Sequence, residues 1–143
     1  MPPDLPDATS PAEWLRRARS NLARAKAGRT APDILYEDLC FDAQQAAEKA
    51  VKALLLHRSV PFPRTHSIVE LLTLLHLNGV EVPGEIRRAG ALTRYAVDTR
   101  YPGLAEPVTE QDYRESVEMA QHVLGWANSL ILPGGDPGRS GRG

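Results

Sequence analysis

Cysteine is nearly absent from this chain, which has Cys40 as the single thiol among its 143 residues. An intrachain disulfide is therefore impossible, and a zinc cluster built on several thiolates is excluded. Neither sign of charge is in excess, since 17 Lys and Arg face 18 Asp and Glu for a net charge of −1. This balance excludes a polycation that binds nucleic acid through its overall charge, but it leaves a local basic face open.

Long apolar runs are also missing. The longest stretch without charge, 119–135, is interrupted by polar residues and Pro133, and it is shorter than the ~20 apolar residues of a membrane span. The first residues show neither the basic nor the apolar region of a signal peptide. No glycine-rich phosphate loop is visible, because five of the 11 glycines lie in 133–143. We expect a cytoplasmic protein without a membrane partner.

Prolines divide the chain into five windows of helix length. The 12 prolines leave the intervals 12–31, 33–60, 64–82, 84–101 and 108–132 free of proline. Because proline inside a helix removes a hydrogen bond and clashes one turn back, this spacing predicts a helix in each window. No window alternates in hydrophobicity as a strand would. The predicted fold class is all-α, an up-and-down four-helix bundle with an additional short helix.

Helix boundaries follow from capping residues and apolar spacing. Ser10, Ser67 and Thr109 each have an acidic residue three positions later, the pattern of a capping box. Gly28 and the pair Asn78-Gly79 are suitable stops. The apolar positions recur at helical spacing, and in the fourth window they are Ile86, Ala89, Leu92 and Ala96. Gly90 weakens that helix by about 1 kcal/mol relative to alanine.

These boundaries predict a single helical domain over residues 10–132. Residues 1–9 are rich in proline, and 133–143 are rich in glycine and proline, so both ends are predicted to be disordered.

The first helix is strongly basic. It carries Arg16, Arg17, Arg19, Arg24, Lys26 and Arg29 against the single acid Glu13. Such a helix could line a phosphate backbone. The second window opens with Asp33, Glu37, Asp38 and Asp42, which could face the first helix in an antiparallel pair. A solvated basic face, or pairing with these acids, is the interpretation we favour.

Metal binding and thiol catalysis have little support. Of the four histidines, His122 alone follows a glutamate, Glu118, at helical spacing, whereas a di-iron bundle needs such pairs on facing helices. Cys40 lies on the apolar stripe of the second helix, where a cysteine behaves as a small hydrophobe. We predict neither a metal nor a cofactor.

The second helix carries a polar ridge. Gln44, Glu48 and Lys52 follow one another at i, i+4 spacing, with Gln45 and Lys49 beside them. A solvated face with one Glu–Lys pair, which stabilises a helix by a few tenths of a kcal/mol, is the simplest explanation.

A second stretch, 94–103, also carries polar groups. It places Arg94, Asp98 and Tyr101 on one side of a helix, with Arg100 near the end. An arginine at that position can satisfy terminal carbonyls and interact with the helix dipole.

Three segments together resemble a HEPN domain in their order and spacing. They are Phe41–Leu56, the loop Pro61–Ser67 before a leucine-rich helix, and Thr99–Gly103, and the resemblance covers about residues 12–132. It implies an up-and-down helical bundle that is often a homodimer. It also implies a minimal nucleotidyltransferase partner, commonly in a toxin–antitoxin or host-defence pair.

Active members of that family are metal-independent endoribonucleases. They use an arginine followed four to six residues later by a histidine, with the site assembled across the dimer. A histidine can move the ribose proton, and an arginine can stabilise the charged phosphorane. None of the four histidines here follows an arginine at that spacing, and residues 101–107, directly after Arg100, contain no histidine.

These observations leave three functional hypotheses. The first is a non-catalytic HEPN protein that binds a nucleotidyltransferase, a nucleotide or RNA through Gln45, Glu48, Lys52, His66, Arg100 and Tyr101. The second is a divergent HEPN ribonuclease in which Arg100 and His66 are catalytic. The third is a purely structural helical dimer.

Overall fold

The regular structure of the chain is helical throughout the part that the computed structural model describes, residues 10–97, 102 and 106–132. The elements are α1 (Pro11–Ala27), α2 (Tyr36–His57), α3 (Ile68–Leu77), α4 (Gly84–Arg87), a 3₁₀ helix (Arg88–Ala96) and α5 (Glu110–Ile131). Each predicted window contains helix, so the all-α prediction is confirmed. None of these helices is long and apolar enough to cross a membrane. The ends predicted to be disordered, 1–9 and 133–143, lie outside the described residues.

The three predicted helix starts are confirmed. Ser10 and Ser67 accept hydrogen bonds from the backbone amide three residues later, at 3.3 and 3.2 Å. At Thr109 the box is complete, because Asp112 also accepts the backbone N–H of Thr109 at 3.0 Å. At α1 the predicted capping box is only half formed. The carboxylate of Glu13 binds Arg16 and Arg17 of its own helix, and these ion pairs replace the bond to the backbone N–H of Ser10 that a complete box would have.

The first helix ends where the sequence indicated. Gly28 caps α1 with φ of +74°, a conformation that is strained for residues with a side chain. The hydroxyl of Tyr113 on α5 donates to the carbonyl of Ala25 at 2.5 Å. The same carbonyl also accepts the backbone N–H of Gly28 at 3.3 Å, so α5 adds a second bond at the end of α1, where carbonyls lack their regular helical partners.

The second helix is the centre of the fold. It contacts α1, α5, α3 and the 3₁₀ helix, and most of its residues from Leu39 to Leu55 are buried. Five of them are alanines with no exposed surface: Ala43, Ala46, Ala47, Ala50 and Ala53. Because alanine adds little volume, the flanking helices approach α2 closely, as the small-residue stripe predicted.

The fourth window is where the α-helical prediction is wrong. After Arg87 the chain continues as a 3₁₀ helix. Its core residues are Ala89, Leu92 and Tyr95, which continue a three-residue spacing that begins at Ile86 in α4; all four are at most 4% exposed. Three residues per turn place Ala89, Leu92 and Tyr95 on one face, whereas the α-helical pattern put Ala96 there in place of Tyr95.

Gly90 allows this segment to lie against α3. A Cβ atom at position 90 would come within 2.4 Å of a methyl group of Val69. The hydroxyl of Thr93 also accepts the backbone N–H of Ile68, the first residue of α3, at 3.1 Å. The glycine that weakened the predicted α-helix thus has a packing role.

We expect Gly90→Ala and Gly125→Ala to change stability in opposite directions. The first substitution creates the clash with Val69, and overpacking of this kind costs about 1–3 kcal/mol. Gly125 is exposed on α5, and a Cβ atom there would meet nothing within 4 Å, so alanine at that position adds about 0.5–1 kcal/mol of stability. The free energy of unfolding of each variant would be measured by urea denaturation. Combining Gly90→Ala with Val69→Ala should restore stability, and failure to do so contradicts the contact.

Leu54 tests the core assignment. It is 1% exposed, so Leu54→Ala should lower the free energy of unfolding by about 2–5 kcal/mol. Leu77→Ala is the matched control, because Leu77 is 72% exposed and should change stability by less than about 0.5 kcal/mol. Equal transition midpoints for the two variants would refute the assignment.

Candidate functional site

Three polar side chains bind the carboxylate of Glu48 in the middle of α2. Glu48 is 4% exposed, and its Oε1 accepts hydrogen bonds from Gln44 Nε2 at 2.6 Å and from the His66 ring Nδ1 at 3.1 Å. Its Oε2 accepts from Lys52 Nζ at 2.8 Å. The i, i+4 ridge predicted as a solvated face is therefore a largely buried cluster, and it brings Glu48, Lys52 and His66 together as the first hypothesis required.

The charge of Glu48 is stabilised by these donors. Burial raises the pKa of the Glu48 carboxyl, but hydrogen bonds from Lys52 and Gln44, the positive charge of Lys52 and the hydrogen bond from His66 outweigh it. The net pKa lies below its ordinary value of 4.5. A buried carboxylate of this kind stays ionised at neutral pH because every oxygen has a donor.

Lys52 is enclosed by aromatic rings as well as by Glu48. Its ammonium lies 5.8 Å from the ring centroids of both Trp14 on α1 and Phe62 in the loop before α3. The side chain is 11% exposed. Cation–π attraction in a desolvated site stabilises such a cation, so Lys52 holds α1, α2 and the loop together.

His66 is the exposed member of the cluster. Its side chain is 61% exposed, and it lies at the end of the loop that leads into α3. Because the carboxylate of Glu48 can only accept, Nδ1 carries the hydrogen. A neutral His66 then offers the lone pair of Nε2 as an acceptor, and a protonated His66 offers an N–H there.

Gln45 extends the cluster to one side. Its Nε2 donates to Gln44 Oε1 at 2.7 Å, and Gln45 is half-buried. The side chain thus supports Gln44, which in turn donates to Glu48.

A second polar chain joins α1 to α2. Lys49 Nζ donates to Asn21 Oδ1 at 2.7 Å, and Asn21 Nδ2 donates to Asp42 Oδ1 at 3.0 Å. Asp42 Oδ2 is 3.4 Å from Arg24 Nε. The favoured pairing of the basic first helix with acids of the second is therefore found at Asp42. The sequence interpretation missed Asn21, which is buried between the stripe residues Ala18 and Ala25 at helical spacing.

Two of the predicted site residues, Arg100 and Tyr101, lie outside the described residues. Their participation in the site stays a prediction.

Other candidates lie apart from this cluster. Cys40 is fully buried, and burial raises the pKa of its thiol. His122 Nδ1 is 4.0 Å from Glu85 on α4, and no group of three metal-binding side chains occurs among the described residues. A cavity of about 520 Å³ lies between the end of α1 and the start of α2, lined in part by Arg24, Ile34 and Asp42. It does not include Glu48 or His66.

We expect Glu48→Gln to lower the free energy of unfolding by about 3–5 kcal/mol at pH 7, because it leaves the ammonium of Lys52 buried without a counter-charge. The pKa of Glu48 is depressed by folding, so its ionisation stabilises the fold above its unfolded-state pKa, near 4.5. That stabilisation is lost as the pH falls through the lower folded-state pKa. The gap between variant and wild type should therefore narrow below pH 4.5 in urea unfolding series. A gap independent of pH would contradict the ionised cluster. Glu118→Gln is the control, because Glu118 is an exposed glutamate on α5.

Comparisons with known proteins agree with this fold. The family model for the HEPN domain matches residues 11–130. ST0689, an archaeal HEPN homologue, is 30% identical with a TM-score of 0.69, over 85% of this chain and 98% of its own. TT1696 from Thermus thermophilus is 36% identical with a TM-score of 0.72, over 83% of this chain and 96% of its own. A search of curated proteins finds no match. On these matches, the chain belongs to the HEPN domain family.

Proposed function

We propose that this HEPN protein is a non-catalytic binding subunit that takes a phosphate group of a nucleotide or RNA at His66. The proposal includes a minimal nucleotidyltransferase as its partner, in a toxin–antitoxin or defence pair, and a homodimer. The observation that carries it is an exposed imidazole fixed in place by a buried carboxylate, in a chain without the arginine that the family's ribonucleases place before their histidine.

The phosphate group is the ligand that best suits this geometry. A protonated His66 would donate its Nε2–H to an anionic oxygen while its Nδ1–H stays bonded to Glu48, and charge-assisted hydrogen bonds of this type are among the stronger ones. Arg64, two residues earlier in the same loop, is also exposed. The loop thus presents two groups that attract anions.

Lys52 supports a binding role over catalysis. Ribonuclease chemistry needs a charge stabiliser near the phosphorane in addition to a proton-transfer group. Lys52 binds the same carboxylate as His66, but it is largely buried and already neutralised by Glu48. It therefore has a structural part in the proposal.

Ligand binding tests the His66 site. We expect a fluorescent single-stranded RNA oligonucleotide, and separately ATP, to bind wild type in an anisotropy or calorimetric titration. His66→Ala should weaken binding about tenfold, equivalent to the loss of one hydrogen bond to a charged group. His76→Ala, an exposed histidine on α3, should leave affinity unchanged.

The absence of RNA and ATP binding would contradict the phosphate site and favour the structural helical dimer. The partner is tested separately, by co-expressing the protein with a minimal nucleotidyltransferase. Elution of the two proteins as separate species would contradict that part of the proposal. Sedimentation of the protein alone reports whether it is a homodimer.

A second candidate function is a metal-independent endoribonuclease. The Glu48–His66 pair favours it, because a carboxylate that orients an imidazole is a common arrangement for a general base. Wild type, His66→Ala, Arg100→Ala and the control His76→Ala would be compared in RNA cleavage with EDTA. Loss of cleavage in His66→Ala and Arg100→Ala, but not in His76→Ala, would support the ribonuclease. No cleavage by wild type would refute it.

A further inference from the structure

In the second polar chain, which runs from Lys49 through Asn21 and Asp42 to Arg24, the ammonium of Lys49 binds an amide instead of a carboxylate. Lys49 lies on α2 against α1, and its ammonium donates to the neutral amide oxygen of Asn21. The two carboxylates nearby already have cationic partners, since Asp42 pairs with Arg24 and Glu48 pairs with Lys52. Lys49 is therefore held by an amide in a place where other cations surround it.

Two arginines of α1 lie on either side of this contact. Arg17 and Arg24 precede and follow Asn21 by four and three residues, so all three share one helix face. Their spacing along α1 is about 10 Å at 1.5 Å per residue. The two side chains are 52% and 71% exposed, so both guanidinium groups are accessible to a further anion, although Glu13 and Asp42 each contact the Nε side.

The three lysines of the chain differ in their surroundings. Lys26 is exposed on α1. Lys52 is largely buried against Glu48, Trp14 and Phe62. Lys49 is half-buried, reachable from solvent and bonded to an amide, and this combination keeps an amine accessible without a salt bridge to hold its proton.

We propose that Lys49 is a site of acylation by acyl phosphates, whose phosphate group is held by Arg17 and Arg24. This inference stands whether or not His66 binds a phosphate.

The reaction needs no further reagent. The lone pair of the neutral Nζ attacks the acyl carbon, a C–N bond forms and the C–O bond to phosphate breaks. Inorganic phosphate leaves with the bonding electrons, and the nitrogen loses a proton to water. The arginines neutralise charge on the phosphate as it leaves.

Electrostatics at Lys49 support this chemistry. Burial and the positive charge of Arg17, with a smaller contribution from Arg24, lower the pKa of the Lys49 ammonium. The carboxylates of Glu48 and Asp42 oppose the shift without cancelling it, so the pKa lies below its ordinary value of 10.5. Each unit of decrease gives about tenfold more free amine at neutral pH.

The test is site-resolved acetylation of the full chain. Purified protein would be incubated with acetyl phosphate, digested and analysed by mass spectrometry for occupancy at Lys26, Lys49 and Lys52 over time. We expect Lys49 to be acetylated at least about threefold faster than Lys26, and its rate to rise at lower pH than that of N-α-acetyl-lysine. Faster modification of Lys26 would overturn the proposal.

Two variants separate phosphate binding from amine reactivity. Arg17→Gln should slow acetylation of Lys49 and leave Lys26 unchanged. Arg16→Gln is the matched control, because Arg16 binds the same carboxylate of Glu13 from the adjacent position. Equal rates for the two variants would overturn the role of Arg17. With the uncharged reagent N-hydroxysuccinimidyl acetate, Arg17→Gln should have a smaller effect, and an equal effect would overturn phosphate binding.

Discussion

A charged carboxylate in the centre of the main helix is the constraint on which the rest of this structure depends. Glu48 lies among alanines that allow the neighbouring helices to approach closely, and at that position an ion without partners would cost several kcal/mol. Gln44, Lys52 and His66 supply the donors. Two of these come from α2 itself, and the third comes from the loop before α3, so the ionised Glu48 also ties that loop to α2.

The same requirement organises the aromatic residues. Lys52 is buried beside Glu48 because the carboxylate needs a counter-charge. Trp14 from α1 and Phe62 from the loop pack over the ammonium of Lys52. Burial of one acid thus determines where a cation, two rings and an imidazole lie. The exposed tip of His66 is the part of this assembly that reaches solvent, which is why the proposed ligand site is placed there.

Much of the fold could be predicted from the sequence because its signals are local. Proline spacing, Thr109 with Asp112, and the small residues of α2 each act within a few positions. The ridge of α2 was visible as a pattern, but its burial was not, because the donor from His66 and the cover from Trp14 come from distant segments. Asn21 was missed for the same reason, since its partners Asp42 and Lys49 lie on another helix. Arg100 and Tyr101 lie outside the described residues, so the site that the family resemblance implied is described in part.

The 3₁₀ helix has a consequence for changes in length. Its three core residues, Ala89, Leu92 and Tyr95, recur every three positions, and one residue more or fewer would turn the later residues of the helix by about 120° about its axis. Tyr95 would then face solvent, and the backbone beside Val69 would no longer be that of Gly90. An α-helix can absorb such an insertion as a local bulge, but this segment of nine residues is only about three 3₁₀ turns long. This part of the chain therefore tolerates the substitution of one apolar residue by another more readily than the insertion or deletion of a residue.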